Sequence, residues 1–452
     1  DDEKTRKPMA TFEDDASGSF DVCEAFPERE MVETARAEEI AAAIAKKTKN
    51  LTRVKLSNKS YSADAAKIVA KALAGSTTVR CVDVSDVIAG RPEAEALTVL
   101  STFAEAFEEC SAAVEECDVS DNALGQKGID ALLPLFSSKT LKTLRVCNNG
   151  MSAAAAHQLA DLLKESSLVR FDYHNNMSGD DGATAIAQII EGCGASLKHL
   201  RFSGTRAGRE GSLRVAESLA RAPALETIHF ADNLLAEAGA TAFARFLRLR
   251  PPLQSLDLRD CALGPDGFRV LASALSDRAD GDETEPSSST NPVLEMLDVG
   301  GNELGAEGCA LLASVLAAQP RLQVLSLDDN ELEVAGLRAL TASVSAAKPA
   351  RLASLSVASN DINSGGKAVL RLANVLRAHC PSLTNLNLNG NGLTEAAVEA
   401  LTGLLGQDKL ATFDDNDPDA DPDDEEDEDE GDLDDIIAKA ASIDLSGSAS
   451  SS

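Results

Sequence analysis

A template of the form LxxLxLxxNxL recurs along this chain, beginning at Val114, Leu141, Leu168, Leu197, Leu225, Leu253, Leu294, Leu322, Leu352 and Leu383, with looser copies at Leu51 and Val79. Successive starts lie 28, 35, 27, 27, 29, 28, 28, 41, 28, 30 and 31 residues apart, and a period of this size overrides any estimate of domain number from length. Positions 1, 4 and 6 of each copy (Leu141, Leu144 and Val146 in the fourth) have the pattern of a short strand with one buried face. A stretch of helical spacing follows, as in Ala156, Leu159, Leu162 and Leu163. The offset of 41 is accounted for by a polar insert at residues 277–291 (DRADGDETEPSSSTN), which reads as a surface loop without fixed structure.

Position 9 of ten consecutive copies is Asn122, Asn149, Asn176, Thr205, Asn233, Cys261, Asn302, Asn330, Asn360 and Asn391. An asparagine there turns inward where the strand ends and satisfies backbone groups that no regular ladder reaches, so these residues are read as structural. Position 8 is the first residue past the strand and should point outward at the rim; in the fourth copy it is Asn148, beside the inward Asn149. Asn148→Ala should then leave stability nearly unchanged, whereas Asn149→Ala should cost about 1–3 kcal/mol.

One strand and one helix in each of about 12 copies of ~28 residues predict an α/β leucine-rich repeat solenoid, a horseshoe with a concave parallel sheet and convex helices. Residues 1–30, of mixed charge and without periodicity, read as a flexible segment. The repeat domain is placed at residues 31–411, with residues 31–47 (MVETARAEEIAAAIAKK) as a helical cap over its open edge. Residues 412–452 read as a disordered acidic tail.

The formal charge of −32 comes from 74 Asp and Glu against 42 Lys and Arg, and 16 of the acids fall within residues 414–435. A chain so acidic lacks the basic footprint that nucleic-acid phosphates or an anionic membrane require, so neither is expected as a partner. No apolar run is long enough to cross a membrane and no apolar leader is readable, which predicts a soluble intracellular protein. Nine cysteines without a CxxC pair argue against a disulfide framework and a zinc site. Phosphate-loop, HExxH, GxSxG and GxGxxG motifs are absent. His174, His199 and His229 recur on strand positions, but the neighbouring Arg170, Lys198 and Arg201 oppose a cation there. No autonomous catalytic site and no cofactor are expected.

A solenoid reads its partners through outward strand positions and edge loops. Copies four to six place Lys142, Arg145, Arg170, Lys198, His199 and Arg201 there, a positive spot. Copies seven to ten contribute Glu226, Asp257, Asp260, Glu295, Asp298, Asp328 and Asp329. This bipolar face suits a protein partner of mixed charge.

Five segments in order, SDVIAGRPEAEAL (residues 85–97), SDNALGQKG (120–128), CNNGMS (147–152), YHNNMSGDDGA (173–183) and FDDNDPDADPDDEEDEDE (413–430), resemble the Ran GTPase-activating protein family, particularly its plant and green-algal form. The resemblance implies that the chain stimulates GTP hydrolysis by the small GTPase Ran in nucleocytoplasmic transport. It implies that Asn148 orders the GTPase's own catalytic glutamine, with no arginine finger supplied. Arg91, in AGRPE, resembles the family's essential arginine, implied to anchor the GTPase near its switch regions; on its own it reads as a solvated loop arginine. Lys142, Arg145, Arg170, Asn175, Lys198 and Arg201 become candidate partner-binding residues. GTP and Mg2+ would be carried by GTP-bound Ran, a Ran-binding protein would be a further partner, and the chain would act as a monomer. The chain has no Trp, so the Trp-Pro-Pro targeting motif of plant members is missing, and a cytoplasmic location, with perinuclear or nuclear-envelope association, is expected. The alternative is a non-catalytic leucine-rich repeat scaffold or an inhibitor of the ribonuclease-inhibitor type.

Overall fold

A computed structural model describes residues 18–47, 50–74, 76–110, 114–277, 294–362, 366–411 and 413. The described residues form two compact units, one ending at Asp172 and one beginning at Tyr173. Each is a leucine-rich repeat solenoid, with strands at the periodic positions and helices between them.

In the first unit, strands Ser19–Asp21, Arg53–Lys55, Cys81–Asp83, Glu116–Asp118 and Thr143–Arg145 pair in parallel, followed by the start of Arg170–His174. The register runs Phe20, Val54, Val82, Cys117, Leu144 and Phe171 along one row, and every member of that row is buried. In the second unit, Thr227–His229 pairs with His199–Ser203 and with Ser255–Asp257, and the ladder continues through Met296–Asp298, Val324–Ser326, Ser354–Ser356 and Asn385–Asn387. Leu410 closes this edge by bridging Leu386. Although aromatics are only 3% of the chain, five of them form a contiguous row here, Tyr173, Phe202, Phe230, Phe243 and Phe246, with neighbouring ring centroids 5.3 to 6.4 Å apart.

The helices carry the expected stripe. In Ala153–Leu163, Ala156, Leu159 and Leu163 are buried while Leu162 is half-buried. The Ser152 hydroxyl accepts from the Ala155 amide at 3.3 Å and starts that helix. In the third repeat the helix is broken into Gly125–Ala131 and Leu133–Phe136, because Pro134 lacks the N–H that would continue it.

The inward asparagines behave as the template requires. Asn122, Asn149, Asn176, Asn302, Asn330, Asn360 and Asn391 are at most 1% exposed. Asn122 Nδ2 donates to the Val84, Val119 and Ser120 carbonyls at 2.8, 3.0 and 3.1 Å, while its Oδ1 accepts from the Val87 amide at 3.0 Å. The same ladder runs through Asn302, Asn330, Asn360 and Asn391, each Oδ1 taking the amide of the preceding repeat's inward residue.

Two boundaries differ from expectation. Part of the segment read as flexible, residues 1–30, has regular structure, because Ser19–Asp21 adds a strand and Val22–Ala25 a helical turn, with Phe20 and Val22 buried in the core; residues 1–17 lie outside the described residues. Within the proposed cap, helix Thr34–Ala45 forms as read, but Met31–Val32 is a strand paired with Ser60–Tyr61. Residues 278–293 of the insert region, and the tail apart from Phe413, lie outside the described residues; Asp277 pairs with Arg248 at 3.1 Å.

Candidate functional site

The longest uninterrupted repeat offset, 35 residues, follows Val79. Its additional residues form a turn, where the Arg91 amide donates to the Ile88 carbonyl at 3.0 Å, and a long helix, Glu93–Cys110. Beside this turn the first unit has an open depression of about 1020 Å³, lined by Leu97 and Leu100 together with the polar residues Arg29, Asn58, Asp86, Arg91, Glu93, Asp121, Lys127 and Asn148. Arg91 and Asn148, the two residues singled out by the sequence, thus line one concavity.

Asn148 is exposed and Asn149 is buried, as their positions 8 and 9 require. Asn148 Nδ2 donates to Asp121 Oδ1 at 2.5 Å. Asn149 Oδ1 accepts from the Asn122 amide at 2.8 Å, and its Nδ2 donates to the Val119 carbonyl at 3.2 Å. What the sequence reading missed is the backbone. All twelve position-8 residues, from Asn58 and Asp86 through Asp121, Asn148 and Asn175 to Ser359 and Gly390, have φ between 49° and 69°. This left-handed region favours Asn, Asp and Gly, and the signal was present in the sequence as an unbroken series of Asn, Asp, Gly or Ser. The expectation that Asn148→Ala is silent for stability is therefore corrected, since alanine at φ 54° is strained.

Arg91 is not a solvated loop arginine. Its side chain is 7% exposed. Nε donates to Ser60 Oγ at 3.2 Å, Nη2 to the Ser60 carbonyl at 2.8 Å and Nη1 to Glu33 Oε1 at 2.8 Å. The guanidinium fork therefore braces the small Met31–Val32/Ser60–Tyr61 sheet. This bond, ahead of any other cause, holds the Glu33 carboxyl below its ordinary range.

Two further residues stand out in the same unit. Lys59 occupies the inward position 9 of the first repeat, is fully buried, and donates through Nζ to the Glu28 carbonyl. Arg29 has a side chain 61% exposed and pairs with Asp86 at 2.8 Å. Neither falls in the motifs quoted from the sequence.

The candidate partner-binding residues divide between the units. In the first, Lys142 is exposed and donates to Ser167 Oγ at 3.1 Å. Arg145 and Arg170 converge on the buried Asp172, at 3.4 and 2.8 Å, so their part of the positive spot is largely neutralised within the chain. In the second, Lys198 pairs with Glu226 at 2.7 Å, Arg201 Nε donates to Ser203 Oγ at 3.4 Å, and Asn175 is exposed at φ 51°. His229 pairs with Asp257 at 3.4 Å and His174 Nδ1 lies 2.9 Å from Ser203 Oγ. Among the described residues no group of His, Cys, Asp and Glu is arranged to hold a metal, and no helix is long and apolar enough to cross a membrane.

The family model described as "Leucine Rich repeat" matches residues 251–272, 290–313 and 379–401. RAN GTPase-activating protein 1 of Arabidopsis thaliana is 38% identical over 112 residues, 25% of this chain and 21% of that protein. Mouse NACHT, LRR and PYD domains-containing protein 14 is 25% identical over 66% of this chain and 29% of its own length. Pig ribonuclease inhibitor is 26% identical over 48% of this chain and 52% of its own. The chain thus spans about half or less of each of these relatives. A chain of the solved yeast Rad7 and Elc1 complex aligns over 85% of this chain and 83% of that one, at 15% identity and a TM-score of 0.46. The matched repeats, the parallel strands and the inward asparagine ladder agree on the leucine-rich repeat fold for this chain.

Proposed function

We propose that this chain stimulates GTP hydrolysis by the small GTPase Ran, and that Asn148 orders the GTPase's own catalytic glutamine. The observation that carries the reading is the placement of the Asn148 amide, exposed on the rim of a depression and fixed on one side by its bond to Asp121. Similarity to two Arabidopsis thaliana RAN GTPase-activating proteins, at 38% and 33% identity over a quarter to a third of this chain, supports it.

Intrinsic hydrolysis by small GTPases is slow because the attacking water is poorly held and charge on the transferring phosphoryl group is incompletely stabilised. A side-chain amide has both donor and acceptor, so it can hold a glutamine side chain in one orientation beside that water. GTP and Mg2+ would arrive with the partner. Arg91, enclosed by its own chain, would act by holding the wall of the depression. Phosphate release from GTP-loaded Ran, measured with and without the protein, tests the reading; no acceleration would refute it.

A second reading rests on a different observation. The similarity to pig ribonuclease inhibitor spans 48% of this chain, and the residues just before strands Thr227–His229 and Met296–Asp298 in the second unit are the half-buried acids Glu226 and Glu295, which suit a basic protein such as a ribonuclease. Inhibition of pancreatic-type ribonuclease at stoichiometric protein, with Ran unaffected, would replace the first reading.

A further inference from the structure

Arg91 matches the arginine expected to meet the partner, yet its nitrogens are engaged by Ser60, Val32 and Glu33 in its own chain. A second arginine lines the same depression. Arg29 is far more exposed, and the backbone on both sides of it is tied down: the Glu28 carbonyl accepts from the buried Lys59 ammonium, and the Glu30 carbonyl accepts from the Ser60 amide at 3.0 Å. A planar donor fork on a fixed backbone loses less freedom on binding than a mobile lysine. Lys127, on helix Gly125–Ala131, lacks that support: its side chain is 70% exposed and it pairs with Glu93, itself 68% exposed.

The partner of Arg29 within the chain is Asp86, a half-buried rim residue at φ 49° that also lines the depression. The Arg29 end of the pair is 61% exposed, so the guanidinium is open to solvent and can take an external carboxylate in place of Asp86 at modest cost to the protein. The depression holds Asp86, Glu93 and Asp121 against Arg29, Arg91 and Lys127. That balance offers no net attraction to a triphosphate, whereas a single carboxylate matches one guanidinium fork.

We propose that Arg29 is the arginine through which this site binds its protein partner, taking a surface carboxylate of that partner in exchange for Asp86. The inference rests on the GTPase-activating reading, and the partner is then the GTPase. It is tested by steady-state stimulation of GTP hydrolysis over a range of GTP-loaded Ran concentrations. Arg29→Ala should raise KM roughly five- to tenfold with kcat and melting temperature unchanged, and Arg29→Lys should recover only part of the loss. Asp86→Asn keeps a residue tolerant of positive φ, releases Arg29 and should lower KM; in the Arg29→Ala background it should bring no gain. Unchanged KM in Arg29→Ala would overturn the inference while leaving the activity standing. A fall in kcat at constant KM would also overturn it, because it would place Arg29 on the reacting phosphate. No stimulation by the unaltered protein would sink the functional reading and this inference together.

Discussion

Adjacent asparagines with opposite surroundings make the sharpest test of the rim-and-interior argument. Asn149→Ala removes the acceptor of the Asn122 amide, 2.8 Å away, and the donor to the Val119 carbonyl at 3.2 Å. The Val119 carbonyl keeps its bond from Asn122 Nδ2 at 3.0 Å, so the group left without this partner is the buried Asn122 amide, at a cost of about 1–3 kcal/mol. Because repeats contact mainly their neighbours, the loss should be local rather than shared across the solenoid. Amide hydrogen exchange is therefore the assay. At about 2 kcal/mol, exchange should accelerate about 30-fold at Asn122 and at Val87, whose amide bonds Asn122 Oδ1, while Leu355 and Leu386 in the second unit should keep wild-type protection. Asn148→Gly is the matched control, since glycine adopts φ 54° without strain and the side chain removed is an exposed amide whose bond to Asp121 is itself at the surface. It should abolish stimulation of GTP hydrolysis with a urea midpoint close to wild type, whereas Asn148→Ala should cost about 1 kcal/mol from backbone strain alone. If Asn149→Ala leaves the Asn122 amide as protected as before, or if Asn148→Gly destabilises to the same degree, the assignment of the two roles is wrong.

Arg91→Ala should lower stability by about 2–3 kcal/mol and loosen the Met31–Val32/Ser60–Tyr61 pair, seen as faster exchange of the Ser62 amide; loss of stimulation with that amide unchanged would restore a direct contact with the partner. Asp257 and Asp298 face each other in register but should respond oppositely to amidation. Burial first, then the charge of Asp257, raises the Asp298 pKa, so its ionised form costs stability above that raised value and the cost fades as pH falls. Burial also pushes Asp257 upward, but the bond to His229 and the Arg259 amide and charge outweigh it and leave its pKa lowered, so its stabilisation is present above the ordinary value and lost as pH falls through the lowered one. At pH 7, Asp298→Asn should raise the melting temperature and Asp257→Asn should lower it; the gain should shrink as the pH approaches 3.8, the ordinary carboxylate value, and the loss should persist until the pH is lower still. Shifts of the same sign would contradict this.

Position 9 was legible because its requirements leave little choice: a short side chain, buried, with one acceptor and two donors for turn groups in two repeats. In the ten copies from Val114 onward the two exceptions, Thr205 and Cys261, keep fragments of the network, Thr205 Oγ1 donating to Asn233 Oδ1 at 2.9 Å and Cys261 Sγ to the Phe230 carbonyl at 3.4 Å. The Ser19–Asp21 strand escaped detection because three residues carry no period, although Phe20 and Val22 bury as a repeat's residues would. The burial of Arg91 was illegible for another reason. Its partners Ser60, Glu33 and Val32 lie 31 to 59 residues away, outside any local pattern. The shared carboxylate of Arg145 and Arg170 is within reach of the sequence, since the register sets Arg145 opposite Asp172; residue type alone shows the cations of the positive spot and not the acid that faces them.

The left-handed rim explains how a repeat this regular can carry a site at all. Position 8 must tolerate positive φ, a demand on the backbone that Asn, Asp, Gly or Ser can meet; what the side chain then does is left open. Asn58, Asp86, Asp121 and Asn148, the rim residues of four consecutive repeats, all line the depression, so their amides and carboxylates occupy it at no added cost in fold. What distinguishes this stretch from the other rim residues is the break in period. The offset of 35 residues after Val79 supplies the turn before Arg91 and the long helix whose Leu97 and Leu100 line the depression. Regularity builds the scaffold and fixes the rim, and a repeat that departs from it lines the concavity that Asn148 borders.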